Sequence, residues 1–329
     1  MDRAVGTAFA GLEALFTAGW SVTEILYALR RPDQLLRDPH RLPVLEDIAQ
    51  HGLYKPHPDE AQHVELDRRG WIHLPNPYTR IGGGAPDQIV ARMLRPGQRR
   101  QRRLLLMCHC YGLPFPRYME SMFGLRDLRG FDVVYNIMGS HHFGPRGRLP
   151  WPGFGLMSLQ LSRSIENIRA AITGLRTLVT SLTHTFGYES VSVLGYSIGG
   201  QLALHLGNCA EVSPIIAYCP VASLHNTASN LGLMSVLEPA VVRAVRVVRD
   251  DFDFGDLQVL DPLQASLQTD PSNLMVIAQI RDAMVPYDQL HPIRAAYPTA
   301  EWHTYPGTHV FPLRRREIHR LVRGKLRSF

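Results

Sequence analysis

The chain has 329 residues, of which 45% are hydrophobic, and a formal net charge of +6 at pH 7. This length and hydrophobic fraction predict a folded protein with a substantial core and exclude an intrinsically disordered chain. Its four cysteines are too few and too scattered for a disulfide-stapled secreted fold, so we expect reduced, buried thiols.

The first sixty residues predict a helical extension ahead of the main domain. Apolar residues recur with helical spacing from Phe9 to Leu29, and a stretch rich in proline and histidine follows from Pro32 to Pro58. The N-terminal sequence lacks the features of a signal peptide, and no apolar run is long enough to span a membrane. We therefore predict a cytoplasmic protein without a transmembrane segment. The N-terminal helix is expected to pack on the main domain or on a second copy of the chain, with a membrane surface or another partner as the alternative.

The excess positive charge lies in two segments, residues 95–103 and 314–327. Neither segment has the interleaved aromatic residues or the motifs of a nucleic-acid-binding protein. We therefore predict no nucleic-acid partner, and expect a solvated turn and a solvated C-terminal helix.

Residues 61–329 have the pattern of one α/β domain. His63–Leu74 and Gln88–Leu94 alternate apolar and polar residues, as half-exposed antiparallel strands do. Continuous apolar runs then alternate with helical segments, which is typical of parallel strands buried on both faces. These runs are Leu104–Cys108, Val133–Ile137, Val191–Leu194, Ile215–Tyr218 and Leu274–Ile280, with a last strand near Trp302–Tyr305.

Residues 221–267 interrupt this alternation with a helical pattern that contains apolar segments. Large apolar segments are rarely left exposed to water, so we expect these to pack against another surface of the protein or over a pocket. We therefore predict a lid over the carboxyl-terminal edge of the sheet, with extra helices packed on the sheet as the alternative.

The strongest local signal is an apolar strand, Val191–Leu194, that runs into Gly195-Tyr-Ser197-Ile-Gly199 and then into a helix. A serine hydroxyl is a weak nucleophile at neutral pH, so it must lie near a base and beside donors for the developing oxyanion. A strained turn between a strand and a helix exposes the hydroxyl in this way, and the glycines permit close backbone approach.

This segment resembles the nucleophile elbow of the α/β-hydrolases, whose catalytic residues follow the chain order serine, acid, histidine. Residues 274–286 resemble the acid-bearing segment of these enzymes, an apolar strand that ends in an aspartate, here Asp282. Residues 301–310 resemble their last strand and the loop that carries the histidine, here His309. The resemblance covers roughly residues 60–325. It implies an α/β-hydrolase fold, with a mostly parallel sheet flanked by helices and a catalytic triad.

Other acids and histidines follow the elbow and compete for these roles. Asp261 and Asp270 each precede a proline, where capping of a turn is the ordinary role. His303 lies within the last predicted strand, and His291 precedes a proline in a helical region. The strand-end positions of the acid and the histidine favour the pair given by the resemblance.

The resemblance also implies an oxyanion hole made by two backbone amides. One belongs to Ile198, and the other to the loop after the first buried parallel strand, which reads His109-Cys110-Tyr111-Gly112. This loop departs from the family's pattern because Cys110 stands where glycine is usual. We favour the amide of Tyr111, and that of Cys110 remains the alternative.

Two histidine-containing clusters invite a metal site. Alternate residues of a strand face the same way, so His109 is expected to point away from Cys108 and Cys110. Neither this cluster nor His141-His142 has a third ligand at a recognisable spacing, so we predict no metal and no cofactor. The residues expected to line the pocket are His109, Cys110, His142, Arg146 and Tyr196.

These patterns predict a serine hydrolase that cleaves a carboxylic ester, a thioester or a lactone through an acyl-serine intermediate, with a small acyl compound as its partner. An acyltransferase or a non-hydrolytic cyclase with the same triad is one alternative. The other is a catalytically idle scaffold that binds a partner through its N-terminal helix.

Overall fold

The computed structural model describes residues 38–54, 61–83, 88–95, 101–110, 116–137, 156, 160–230 and 254–329. The strands are β1 (Trp71–Pro75), β2 (Gln88–Met93), β3 (Arg103–Cys108), β4 (Phe131–Ile137), β5 (Ser190–Tyr196), β6 (Ile215–Tyr218), β7 (Leu274–Gln279) and β8 (Glu301–Tyr305). The α-helices are α1 (Arg41–His51), α2 (Pro116–Phe123), α3 (Leu161–Phe186), α4 (Ile198–Cys209), α5 (Leu224–Asn230), α6 (His291–Ala296) and α7 (Arg315–Arg327).

The described strands form one eight-stranded sheet in the order β1-β2-β4-β3-β5-β6-β7-β8. β2 is antiparallel to both of its neighbours, and all the other neighbouring strands are parallel. The prediction of a mostly parallel sheet that starts with antiparallel strands is confirmed. Because parallel strands end at the same edge, the loops after β3, β5, β6, β7 and β8 meet there.

The first strand is shorter than the alternating pattern of residues 63–74 predicted. The amide of Val64 donates to the side chain of Thr185 on α3 (3.0 Å) and not to a neighbouring strand. The carboxylate of Asp67 then accepts two backbone amides, from Arg69 (2.7 Å) and Trp71 (2.8 Å), which closes a turn before β1. Local side-chain bonds of this kind compete with the sheet for the same backbone groups.

The buried residues form two apolar layers, one on each face of the sheet. Neighbouring residues of β3 alternate between them, since Leu106 belongs to one layer and Leu105 to the other. Helices α3 and α4 supply the first layer with Ile168 and Leu202, whereas α2 and α7 supply the second. Burial on both faces explains why the parallel strands are continuous apolar runs.

Helix α1 is anchored on α3 by a buried arginine. Arg169, of which only 1% is exposed, donates to the carboxylate of Asp47 (2.7 Å). It also donates to the carbonyls of Gly52 (3.1 Å) and Leu53 (3.3 Å) at the end of α1. A buried guanidinium needs this many acceptors to offset its lost hydration.

A second ion pair joins α1 to a distant part of the chain. The guanidinium of Arg41 donates to both carboxylate oxygens of Asp256, at 2.5 and 3.1 Å. Asp256 lies in the short 3-10 segment Phe254–Leu260. Residues 38–54 of the predicted extension therefore pack on the main domain, and its remaining residues, 1–37 and 55–60, lie outside the described part.

The predicted lid is described only at its two ends, because residues 231–253 lie outside the described part. The basic C-terminal segment forms α7, which buries Ile318, Val322 and Leu326 and so has only one solvated side. Among the described residues, no helix has both the length and the apolar character required to span a bilayer.

Candidate active site

Ser197 occupies the turn between β5 and α4, with φ of 60° and ψ of −122°. A non-glycine residue in this left-handed region carries strain that persists only where the surroundings fix it. The amide of Ser197 donates to the carbonyl of Tyr218 (2.9 Å). Its carbonyl accepts the amides of Gln201 (3.1 Å) and Val221 (3.2 Å). Backbone bonds on both sides therefore hold the turn.

The flanking glycines are required by close backbone contacts. A Cβ atom on Gly195 would lie 2.1 Å from the carbonyl oxygen of Gly199. One on Gly199 would lie 2.2 Å from the carbonyl oxygen of Cys108, at the end of β3. Real Cβ atoms do not approach backbone oxygens this closely, so any side chain at either position would force the turn apart.

Asp282 and His309 form a buried hydrogen-bonded pair in the loops that follow β7 and β8. Nδ1 of His309 lies 2.6 Å from Oδ2 of Asp282, and the two residues are only 3% and 6% exposed. The other carboxylate oxygen, Oδ1, accepts the amides of Met284 (2.9 Å) and Val285 (2.7 Å). With its Nδ1 proton donated to the carboxylate, the imidazole has Nε2 left as a base.

Tyr196 connects the histidine loop to the nucleophile turn. Its hydroxyl donates to the carbonyl of His309 (2.5 Å), and the two ring centroids are 5.2 Å apart. Since Tyr196 directly precedes Ser197, this contact brings the histidine loop beside the turn. The structure therefore gathers the three residues of the expected triad at the same edge of the sheet.

Cys219 completes a cluster that the sequence patterns did not reveal. It follows β6 with φ of 42°, and its sulfur lies within 4.8 Å of ligand atoms of Asp282 and His309. A thiolate, a carboxylate and an imidazole are a donor set that could hold a soft divalent metal. Both oxygens of Asp282 are already hydrogen-bonded, so the geometry suits the acid–histidine pair better. The position of Cys219 directly after the apolar run of β6 was the sequence signal that could have placed it at this site.

The oxyanion side of the site is described up to Cys110. The amide of Ile198 is the first of helix α4, directly after Ser197, as the elbow requires. Tyr111, the expected source of the second amide, lies outside the described part and remains a prediction. Nδ1 of His109 lies 2.6 Å from the carbonyl of Cys110, and the ring stacks on Tyr135 with centroids 5.5 Å apart. Burial lowers the pKa of His109 to about 4, so it is neutral and donates through Nδ1.

The strand-alternation argument for His109 was wrong in one respect. β3 ends at Cys108, so alternation does not continue to Cys110, and the two thiols belong to different apolar layers. His109, Cys110 and Tyr196 are all buried, with His109 and Tyr196 in the ring contacts given above. The other expected pocket residues, His142 and Arg146, lie outside the described part.

The competing acids and histidines have other contacts. Asp270 caps a turn by accepting the amide of Ser272 (2.8 Å), as predicted. Asp261, in contrast, does not cap its own turn, and its carboxyl group hydrogen-bonds to Ser223 and to the amide of Leu224 at the start of α5. Burial raises the pKa of this carboxyl group to about 6. His303 lies in β8 with Nε2 2.7 Å from Glu301, and His291 begins α6 at the exposed surface.

The chain is similar in structure to solved esterases over most of its length. An esterase from Pyrococcus furiosus matches 84% of this chain and 99% of its own, with a TM-score of 0.53 and 14% identity. The chain is also similar to acetyl xylan esterase 1 from Thermoanaerobacterium sp., which matches 88% of this chain and 93% of its own, with a TM-score of 0.51 and 16% identity. Est1E from Butyrivibrio proteoclasticus matches 79% of this chain and 98% of its own, with a TM-score of 0.51 and 12% identity. No family profile matches the chain, and no curated protein matches its sequence. The chain has the α/β-hydrolase fold, as its motifs predicted.

Proposed function

We propose that the chain is a serine hydrolase that cleaves a carboxylic ester, a thioester or a lactone. The observation that carries this proposal is the buried hydrogen bond between Asp282 and His309, beside the turn that holds Ser197 in a strained conformation. A buried carboxylate that orients a neutral imidazole next to a serine is the arrangement that activates a hydroxyl. The esterases of the same fold support the choice of an acyl compound as substrate.

In the proposed reaction, the hydroxyl oxygen of Ser197 attacks the carbonyl carbon and its proton moves to Nε2 of His309. Asp282 stabilises the imidazolium through Nδ1, and the amides of Ile198 and Tyr111 donate to the oxyanion. The leaving group departs with the proton of the imidazolium. A water molecule, deprotonated by the same imidazole, then attacks the acyl-serine, and the proton returns to the serine oxygen as the acid leaves.

Covalent labelling tests the nucleophile. A fluorophosphonate probe should label the wild-type chain and not Ser197→Ala, whereas Ser266→Ala, at an exposed serine, should label normally. Turnover of p-nitrophenyl esters should fall on the order of 10³-fold or more in Ser197→Ala, because the hydroxyl is lost while the glycine-built turn remains. Wild-type labelling of Ser197→Ala would reject Ser197 as the nucleophile, and a wild-type chain that takes up no probe would favour the idle scaffold.

Isotope labelling then separates hydrolysis from its rivals. The acyl-serine can also pass to an acceptor other than water, or the acid–base pair can cyclise a substrate. In ¹⁸O-labelled water, a hydrolase incorporates solvent oxygen into the released acid. Turnover without incorporation would favour an acyltransferase or a cyclase with the same triad.

A further inference from the structure

Gln279 is a buried amide that the proposed reaction does not use. It is the last residue of β7, and only 1% of it is exposed. Its Oε1 accepts the backbone amide of Gly307 (2.8 Å), and its Nε2 donates to the hydroxyl of Tyr218 (2.8 Å). Both ends of the side chain are therefore hydrogen-bonded within the protein.

The Gly307 end of this bridge lies in the loop that carries the histidine. Gly307 is two residues before His309, and Gln279 is three residues before Asp282. A Cβ atom on Gly307 would lie 2.3 Å from Oε1 of Gln279, so the loop packs closely on the amide. The carbonyl of Gly307 also accepts the amide of Arg281 (3.1 Å). The bridge thus joins the bases of the acid and the histidine loops.

The Tyr218 end lies beside the nucleophile turn. The carbonyl of Tyr218 accepts the amide of Ser197, and its ring packs edge-on against Tyr196 with centroids 5.1 Å apart. Burial holds the pKa of Tyr218 well above its ordinary value, so its hydroxyl stays protonated. Gln279 therefore connects three loops through neutral hydrogen bonds.

We propose that Gln279 is a positioning residue that fixes His309 relative to Asp282 and Ser197. Its side-chain oxygen accepts the amide of Gly307, while the hydroxyl of Tyr196 donates to the carbonyl of His309. The histidine loop is thus hydrogen-bonded on both of these residues. Because catalytic groups displaced by about 1 Å can lose roughly 100-fold in rate, a fixed loop directly affects turnover. This inference rests on the proposed function, since it names a residue that acts through the same histidine.

The variant Gln279→Met tests the proposal, because methionine matches the size of glutamine and cannot make either hydrogen bond. We expect kcat for a p-nitrophenyl ester to fall by about 10- to 100-fold, with KM nearly unchanged, because orientation of the base is lost while binding is kept. Gln279→Glu retains an acceptor for the Gly307 amide and should recover part of this loss.

A matched control separates positioning from stability. Asn76 is also a buried amide whose two ends are bonded, to the carbonyl of Ala170 (2.9 Å) and the amide of Tyr78 (3.0 Å), beyond β1 at the other edge of the sheet. Asn76→Leu should lower the melting temperature without changing kcat. If Gln279→Met lowers the melting temperature equally and keeps the wild-type kcat, the proposal is wrong.

Proton NMR gives a readout that does not depend on turnover. The Nδ1 proton shared by His309 and Asp282 should give a far-downfield resonance, identified by its loss in His309→Gln. We expect Gln279→Met to shift or broaden it and Asn76→Leu to leave it in place. If the wild-type chain has no hydrolase activity and Gln279→Met still alters the resonance, the positioning role is supported and the proposed function is rejected.

If Gln279→Met does not fold, Tyr218→Phe is the variant to measure, since it removes only the hydroxyl at the far end of the bridge. A several-fold loss of kcat and a shifted resonance are expected. A wild-type kcat together with a wild-type resonance in Tyr218→Phe would overturn the proposal.

Discussion

The hydroxyl of Tyr54 lies 2.8 Å from Nδ1 of His205 and joins the segment after α1 to α4, the helix that begins beside Ser197. Nε2 of the same imidazole lies 3.0 Å from the carbonyl of Leu260. The hydroxyl also accepts the side-chain amide of Asn208 (2.9 Å). Segments from three distant parts of the chain therefore share one buried polar network.

Removal of this hydroxyl should weaken the protein. Tyr54→Phe leaves the buried Nδ1 of His205 without its donor, and we expect the free energy of unfolding to fall by about 1–3 kcal/mol. The measurement is urea unfolding. Tyr287→Phe is the control, because within the described residues that hydroxyl has one exposed hydrogen bond, from Arg294 at 3.5 Å. Equal stability losses in the two variants would contradict the role of the network.

The same histidine predicts how stability depends on pH. Burial lowers the pKa of His205 from 6.5 to about 4. Above pH 6.5 the imidazole is neutral in both states, and as the pH falls only the unfolded chain gains the proton. The stabilisation is therefore present above pH 6.5 and is lost between pH 6.5 and 4, by about 2 kcal/mol between pH 7 and 5.

Unfolding of His205→Gln measured at pH 7 and pH 5 checks this expectation. The variant should lose about 2 kcal/mol less than the wild-type chain on acidification, whatever its stability at pH 7. His184→Gln, at an exposed position of α3, should retain the wild-type dependence. Identical pH dependences in the wild-type chain and His205→Gln would contradict the assignment.

Arg169 should be among the most sensitive positions of α3. Arg169→Met leaves Asp47 and two backbone carbonyls without their buried donor, so we expect a loss of about 3–5 kcal/mol in urea unfolding. Hydrogen exchange should show faster exchange of the amides in α1. Arg163→Met, at an exposed position of the same helix, provides the comparison. If both variants unfold at the wild-type urea concentration, the anchor is not important for stability.

Two helical glycines should respond to alanine in opposite directions. At Gly324 of α7 no atom lies within 4 Å of the position that a methyl group would occupy, so Gly324→Ala should stabilise the chain by about 0.5–1 kcal/mol through its higher helix propensity. Gly199→Ala should cost about 1–3 kcal/mol or more, because its Cβ would clash with the backbone at the end of β3. Melting temperatures of both variants decide the matter.

The sheet and the order of the candidate triad could be predicted because each depends on local patterns. Strands buried on both faces must be continuous apolar runs, and residues at the ends of parallel strands must share one edge. Ser197 and Asp282 follow such runs, and His309 follows the half-buried edge strand β8, so the convergence of the three residues is a property of the topology.

Other features depend on contacts that no local pattern encodes. Helix α1 falls in a stretch rich in proline and histidine, and it is fixed by Arg169 from more than a hundred residues away. The contacts of Gln279 with Gly307 and the closeness of Cys219 to Asp282 and His309 arise from loops that meet only in the folded chain. Asp261 has the sequence of a cap for its own turn, yet its carboxyl group hydrogen-bonds instead to Ser223 and to the amide of Leu224, which are close to it only in the folded chain.

The ion pair between Arg41 and Asp256 has a consequence for truncated versions of the protein. Asp256 lies shortly after residues 231–253 in the sequence, and its partner Arg41 belongs to α1, the first described helix. A gene fragment that begins at β1 would encode the whole sheet and all the proposed catalytic residues. It would nevertheless lack Arg41, Asp47 and Tyr54, which bind Asp256, Arg169 and Nδ1 of His205 respectively. We therefore expect a fragment that begins at β1 to be less stable than one that begins ahead of α1, even though the proposed catalytic residues come much later in the chain.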